Sequence, residues 1–214
     1  MGKTALSRPG SDEGLRRILD AARDAFSTYG FEGASLRSIS AEAGVLHTAL
    51  LYHFPSKDQL WRAVMSEMME DLEARIAVRT ARRDGEDPSA VSRLILRDFV
   101  YFCAERPELH RIMTHEGRHD TPRLAWMIES YTGRLYAAVG ELMDSVDRSI
   151  FPDPIHLYYA IIGLAASTFT LAPEYQRLSG RSPFDPKQIE TTAAILEQLI
   201  FGSSKAAGTS LARD

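Results

Sequence analysis

The sequence predicts an all-α protein, and three observations carry that expectation. Apolar residues recur at three- and four-residue intervals along most of the chain. Four cap-then-proline pairs, Asp87-Pro88, Thr121-Pro122, Asp153-Pro154 and Asp185-Pro186, each stand ahead of such a stretch. No segment reads as a convincing strand. Proline suits the first helical turn because its missing N–H would have no partner there, and the preceding Asp or Thr can accept from the exposed amides. Pro107, ahead of Leu109, Ile112 and Met113, marks a further start. About nine helices follow from these signals.

The first runs from Asp12 to Tyr29, with Leu15, Ile18, Leu19, Ala22, Ala25 and Phe26 on its apolar stripe, Ser11 as its cap and Gly30 as a left-handed terminator. The second spans Leu36–Ala43, capped by Ser35 and stopped before Gly44. The third runs from about His47 to Phe54. Ser56-Lys57-Asp58-Gln59 is a capping box that opens the fourth, which continues through Trp61, Val64, Met65, Met68, Leu72 and Ile76. Short linkers are expected at Arg82–Glu86 and Ser179–Pro183.

The chain has 214 residues, of which 44% are hydrophobic and 25% charged, an ordinary globular composition. The longest apolar stretch, Tyr158–Ala166, is far short of the roughly 18 residues a membrane span needs. Met1–Pro9 lacks the apolar core of a secretory signal. One cysteine, Cys103, leaves no internal disulfide and fits a reducing cytoplasm; between Phe102 and Ala104 it reads as a small buried hydrophobe rather than a reactive thiol. Net charge is −4, but residues 1–62 hold eight Lys/Arg against seven Asp/Glu, and the rest hold 17 against 22. The front is therefore the part whose charge permits nucleic acid.

Helices two and three are joined by Ala43-Gly44-Val45, a turn tight enough to force a near-perpendicular pair. Leu36, Ile39, Ala43, Val45, Leu50 and Phe54 would lock that pair onto the first helix, giving a three-helix unit able to offer its third helix to a major groove. The stretch Phe26–Leu60, FSTYGFEGASLRSISAEAGVLHTALLYHFPSKDQL, resembles the TetR family of bacterial regulators. The matching elements are Phe26, Gly30, Phe31, Ser35, Ile39, Ala43-Gly44-Val45, Leu50, His53-Phe54 and Ser56-Lys57-Asp58-Gln59-Leu60.

That resemblance implies a dimer on double-stranded operator DNA. Ser35, Tyr52, His53 and Lys57 would contact phosphates, while Arg37, His47 and Thr48 would touch base edges. The chemistry agrees: hydroxyls and an ammonium are good phosphate donors, and the Arg37 fork matches guanine O6 and N7. The bland alternative for each is a solvated surface side chain. Three positions depart from the commoner pattern. Leu46 replaces a capping residue, Thr48 stands where many members have Gly, and Leu51 replaces a frequent Tyr.

His115-Glu116-Gly117-Arg118-His119 matches the H-E-x-x-H zinc-hydrolase signature. Gly117 and Asp120-Thr121-Pro122 read instead as a helix end and a new cap, so no metal or other cofactor and no catalytic residue is expected. A zinc hydrolase on His115, Glu116 and His119 is the alternative from another class. A helical interaction protein with degraded DNA binding is a third reading, drawn from Leu46 and Leu51.

The resemblance further implies that the remaining helices form an effector pocket and a dimer interface. Phe99, Phe102, Met113, Trp126, Met127, Tyr131 and Phe169 are the candidate walls of a mostly apolar pocket; the alternative is plain core. The helix from Pro154 is apolar nearly all round, and the last helix carries one apolar stripe. Ile162, Ala166, Phe169, Ile189, Ala193, Leu196 and Ile200 are expected to pair with their copies in a four-helix bundle. The resulting layout is a tail at 1–10, a DNA-binding domain at 11–71 with its helix-turn-helix at about 34–53, a ligand-binding and dimerisation domain at 72–201, and a tail at 202–214.

Overall fold

A computed structural model of the chain describes residues 9–81 and 87–202. The linker expected at Arg82–Glu86 lies outside the described residues, as do the expected tails apart from Pro9, Gly10 and Gly202. The described residues are helical, with no strand among them.

The elements are α1 (Pro9–Gly33), α2 (Leu36–Glu42), α3 (His47–His53), α4 (Lys57–Thr80), α5 (Pro88–Glu105) and α6 (Pro107–Glu116). Next, α7 (Pro122–Met127) runs through a π-helical turn (Ile128–Thr132) into α8 (Gly133–Glu141). A 3₁₀ turn (Leu142–Ser145) precedes α9 (Pro154–Thr170), α10 (Ala172–Ser179) and α11 (Pro186–Phe201). All five proline-marked starts are helix starts. Thr121 accepts from the Leu124 amide at 3.1 Å, and Asp153 from those of Ile155 and His156.

Three local expectations are corrected. Helix α1 begins at Pro9, so Ser11 lies inside it rather than at its cap. Gly30 does not end α1: at φ 68° and ψ 178° it kinks the chain, and one more helical turn follows to Gly33. That backbone conformation needs glycine, and so does the neighbour, because a Cβ there would come within 3.3 Å of His115 Nδ1. The stretch after Leu171, to which the sequence reading assigned no helix of its own, is the separate helix α10, which ends on Gly180 in the left-handed conformation (φ 68°).

Contacts divide the chain into two compact units. The first holds residues 1–75 and 105–134, so α6 and α7 belong with α1–α3 and most of α4. The reason is that α6 packs along α1. Its core is built on Ile18, Ala22, Phe26, Ile39, Leu50, Leu60, Trp61, Met65, Met68 and Ile112, all buried. Each buried Leu, Ile, Phe or Met side chain among them contributes about 1.5–3 kcal/mol by leaving water.

The second unit holds residues 76–104 and 135–214. Its core joins Leu96, Val100 and Cys103 of α5, Leu157, Ile161, Ala165 and Phe169 of α9, and Ala193, Leu196 and Ile200 of α11. Cys103 is buried as expected, and burial pushes its thiol up to about 12. On the rim, Arg97 and Arg93 of α5 both reach Glu197 of α11, at 3.3 and 3.2 Å, and Arg97 also binds Glu190.

Candidate nucleic-acid interface

The exposed polar face of the first unit is made by α2, α3 and the start of α4. Helix α2 opens on Ser35, whose Oγ accepts from the Ser38 N–H at 3.0 Å. It closes through Gly44, which sits at φ +63°, where only glycine is unstrained. The Val45 N–H returns to Ser40 O at 3.0 Å, so the chain reverses within a few residues and α3 starts at His47. Ile39, Ala43 and Leu50 are buried beneath the pair, which fixes α3 to α1 by one side only. Seven residues long, α3 then turns its other side to solvent.

That side carries His47, Thr48, Tyr52 and His53, all exposed, with Tyr52 84% accessible. No carboxylate lies within α3. The Tyr52 and His53 rings meet edge to face at 5.4 Å. His47 Nδ1 lies 3.5 Å from Ser40 Oγ, which ties the first turn of α3 to α2. Arg37 is exposed on α2. Ser35 is exposed too, and its Oγ lies 2.7 Å from that of Ser38, a hydroxyl the sequence reading missed although the Ser-x-x-Ser spacing signals it.

Lys57 departs from the simple expectation of a free surface ammonium. It is half-buried, donates to Ala34 O at 3.1 Å and Glu32 O at 3.5 Å, and stands 4.4 Å from the centre of the Phe31 ring. The capping box after it is half formed: the Gln59 N–H donates to Ser56 Oγ at 3.1 Å. Leu46 stands at the cap of α3, gives no side-chain bond to it and is 77% exposed, while Leu51 is only marginally exposed.

The H-E-x-x-H motif does not form a shared helical face. Helix α6 stops at Glu116, Gly117 caps it, and His119 lies in the following turn, its N–H bonded to Glu116 O at 3.2 Å. Glu116 is buried and accepts from Thr121 Oγ1 and from Arg123 Nε at 3.1 Å. Among the described residues no cluster of three or more metal-ligating side chains occurs.

The candidate pocket residues fall in both units. Met113, Trp126, Met127 and Tyr131 belong to the first, where Trp126 meets Trp61 at 5.9 Å and Tyr131 at 5.7 Å, and the Tyr131 hydroxyl donates to Ser66 Oγ at 2.8 Å. Phe99, Phe102 and Phe169 belong to the second, where Phe102 and Phe169 are buried.

The interface stripe is corrected by burial. Ala166, Phe169, Ala193, Leu196 and Ile200 are no more than 2% exposed, because α9 and α11 pack them against each other inside one protomer. Ile162 and Ile189 are half-buried. The apolar side left outside is a different one: Tyr159 and Leu164 on α9, Ile195 and Leu199 on α11. Gly163 lies on the exposed side of α9, and a Cβ there would meet nothing within 4 Å of its own protomer.

Comparison with known proteins agrees with this geometry. Residues 18–64, which run from α1 into α4, match the family model for bacterial regulatory proteins of the tetR family. The HTH-type transcriptional regulator RutR of Escherichia coli K12 is 29% identical over 191 residues, covering 86% of this chain and 87% of RutR. The HTH-type transcriptional repressor Rv1474c of Mycobacterium tuberculosis is 37% identical over 101 residues, 47% of this chain and 51% of its own length. Among solved structures, a TetR-like transcriptional regulator from Rhodococcus sp. RHA1 superposes with a TM-score of 0.64 at 20% identity, covering 87% of this chain and 92% of that one. AibR, solved with isovaleryl coenzyme A and operator DNA, gives 0.66 at 19% identity, covering 88% and 98%. The two structures share the fold over nearly their whole length. Residues 18–64 thus form a tetR-type DNA-binding segment, and over most of its length the chain is similar to TetR-type regulators in sequence and in fold.

Proposed function

We propose that this chain is a dimeric transcriptional regulator that binds operator DNA through α2 and α3 and is released by a small, largely apolar effector. The observation that carries the reading is the arrangement of α3: Leu50 anchors it in the core while His47, Thr48 and Tyr52 are exposed on the opposite side. Residues 11–71 are the reading head. Arg37, His47 and Thr48 touch base edges; Ser35, Tyr52, His53 and Lys57 hold phosphates and fix register without reading sequence.

Two heads in one dimer reach half-sites one helical turn apart, about 34 Å. The exposed apolar side of α9 and α11 supports pairing of that kind, in place of the buried stripe first expected to provide it. An effector that favours a wider spacing of the heads lowers operator affinity by a population shift. Phe99, Phe102, Met113, Trp126, Met127, Tyr131 and Phe169 remain its proposed contacts. Repression, the activity named for Rv1474c, is the proposed output. The protein acts in the cytoplasm, where its DNA is, and without enzymatic activity; α6 ending at Glu116 speaks against the zinc-hydrolase alternative.

The test is fluorescence anisotropy with labelled DNA from the promoter region beside the protein's own gene. Binding should weaken steeply with salt, and Tyr52→Ala combined with Lys57→Ala should weaken it on every sequence and flatten the salt dependence. Affinity unchanged by the pair removes both residues from the contact list, and no salt-dependent binding at all overturns the function.

A further inference from the structure

We propose that Arg123, at the start of α7, is a positioning residue for DNA binding: locked in place by Glu116, it stacks on Phe31 and so holds the carbonyl platform that aims Lys57. The inference rests on the reading of Lys57 as a phosphate contact. It also gives a role to the Glu of the H-E-x-x-H segment that does not depend on metal.

The geometry is a chain of contacts within the first unit. Glu116 is 5% exposed, and its carboxylate is shared between Thr121 Oγ1 and Arg123 Nε. A buried carboxylate needs such partners, so Glu116 fixes Arg123 rather than merely touching it. Arg123, with 15% of its side chain exposed, is too covered to meet DNA itself. Its guanidinium carbon lies 3.6 Å from the centre of the Phe31 ring, and its Nη2 reaches Glu32 at 3.7 Å. Phe31 and Glu32 form the short helical turn beyond the Gly30 kink, and His115 of α6 stands over that kink.

Lys57 completes the chain from the other side. Its ammonium lies 4.4 Å from the same ring and donates to the carbonyls of Ala34 and Glu32. An ammonium has three N–H bonds. Two are aimed at these carbonyls, and one is left for a phosphate oxygen. The turn at Phe31–Ala34 is therefore the mount on which Lys57 is set, and Arg123 is what fastens that mount to the α6–α7 corner. A guanidinium stacked on an aromatic ring and paired to two carboxylates suits this better than a lysine would, since its flat face and its edge are used at once.

Phosphate contacts are blind to sequence, so the test needs no operator. A fluorescein-labelled duplex of mixed sequence is titrated at several salt concentrations with the full-length protein and five variants. Lys57→Ala should reduce the slope of log affinity against log salt by about one. Arg123→Gln should reduce it by the same amount, and should add nothing when built into Lys57→Ala, because both changes remove one phosphate contact. Arg123→Lys, which keeps a cation for the ring, should recover most of the slope.

Phe31→Leu removes the ring while leaving Arg123 and Glu116 paired. It should reproduce the loss, which keeps the test decisive if Arg123→Gln does not fold. A role in stability alone would lower the melting temperature and leave the slope untouched. Wild-type slope in folded Arg123→Gln or Phe31→Leu, or additivity with Lys57→Ala, overturns the proposal while DNA binding stands. No effect of Lys57→Ala removes its premise, and no salt-dependent binding by the wild type overturns the functional reading itself.

Discussion

The two units are made of the same helical material but leave different surfaces outside. Of the large hydrophobic side chains exposed among the described residues, five belong to the first unit and thirteen to the second. The first unit buries Phe26, Trp61, Leu50 and Met65 completely and turns hydroxyls, imidazoles and Arg37 outward on α2 and α3. The second buries one side of α9 and α11 and leaves Tyr159, Leu164, Ile195 and Leu199 uncovered on another. A polar, carboxylate-free helix matches a hydrated polyanion; a run of uncovered aliphatic side chains matches a second protein surface. One protomer thus leaves two kinds of surface outside, according to which face each helix keeps.

Neighbouring positions on α11 break this comparison most sharply. Leu196→Ala, inside the core, should cost about 2–5 kcal/mol in urea unfolding. Ile195→Glu with Leu199→Glu, on the uncovered side, should leave the helical circular dichroism intact and halve the mass seen by light scattering. A dimer that survives the double change would show that this side is not the interface.

In the first unit the sensitive point is backbone rather than side chain. Gly44→Ala meets no steric block, since the nearest atom to the added carbon would be Arg17 Nη1 at 3.6 Å. The positive φ alone should cost about 1–2 kcal/mol, read as a lower urea midpoint.

The smallest effect concerns Cys103, the second unit's buried thiol. Its value is raised from 9.0 to about 12 by burial, so the folded protein keeps it neutral while the unfolded chain ionises it. The stability held by the neutral thiol is full below the ordinary thiol value and is lost as pH rises towards about 12. A thiol reagent at neutral pH should label it only after denaturant is added; prompt labelling of the native protein would contradict its burial.

What could be read from the sequence follows the range of the forces involved. The caps at Ser35, Thr121 and Asp153 and the turn at Gly44 are set by residues a few positions apart, and they formed as expected. Helix α10 used the same signals, Pro173 near its start and Gly180 at its end, and a reading of those two residues would have found it. The exposed set on α3 was legible because the family motif fixes which side packs. On α9 and α11 the pattern shows that a stripe will be buried but not by what. Intramolecular packing took Ala193, Leu196 and Ile200, leaving Ile195 and Leu199 outside. The tie of Lys57 to α1 and of Arg123 to Phe31 depends on pairs 23 or more residues apart, and no local spacing announces it.

The aromatic pair in the first unit has an optical consequence. The chain has two tryptophans, and they are Trp61 and Trp126, in edge-to-face contact at 5.9 Å. All indole emission therefore originates where α4 meets α7. Trp61 is fully covered and its Nε1 has no hydrogen-bond partner among the described residues; the burial places its fluorescence at the blue end of the indole range. Any event that wets this contact should shift the spectrum to the red, giving an intrinsic, label-free gauge of the α4–α7 junction.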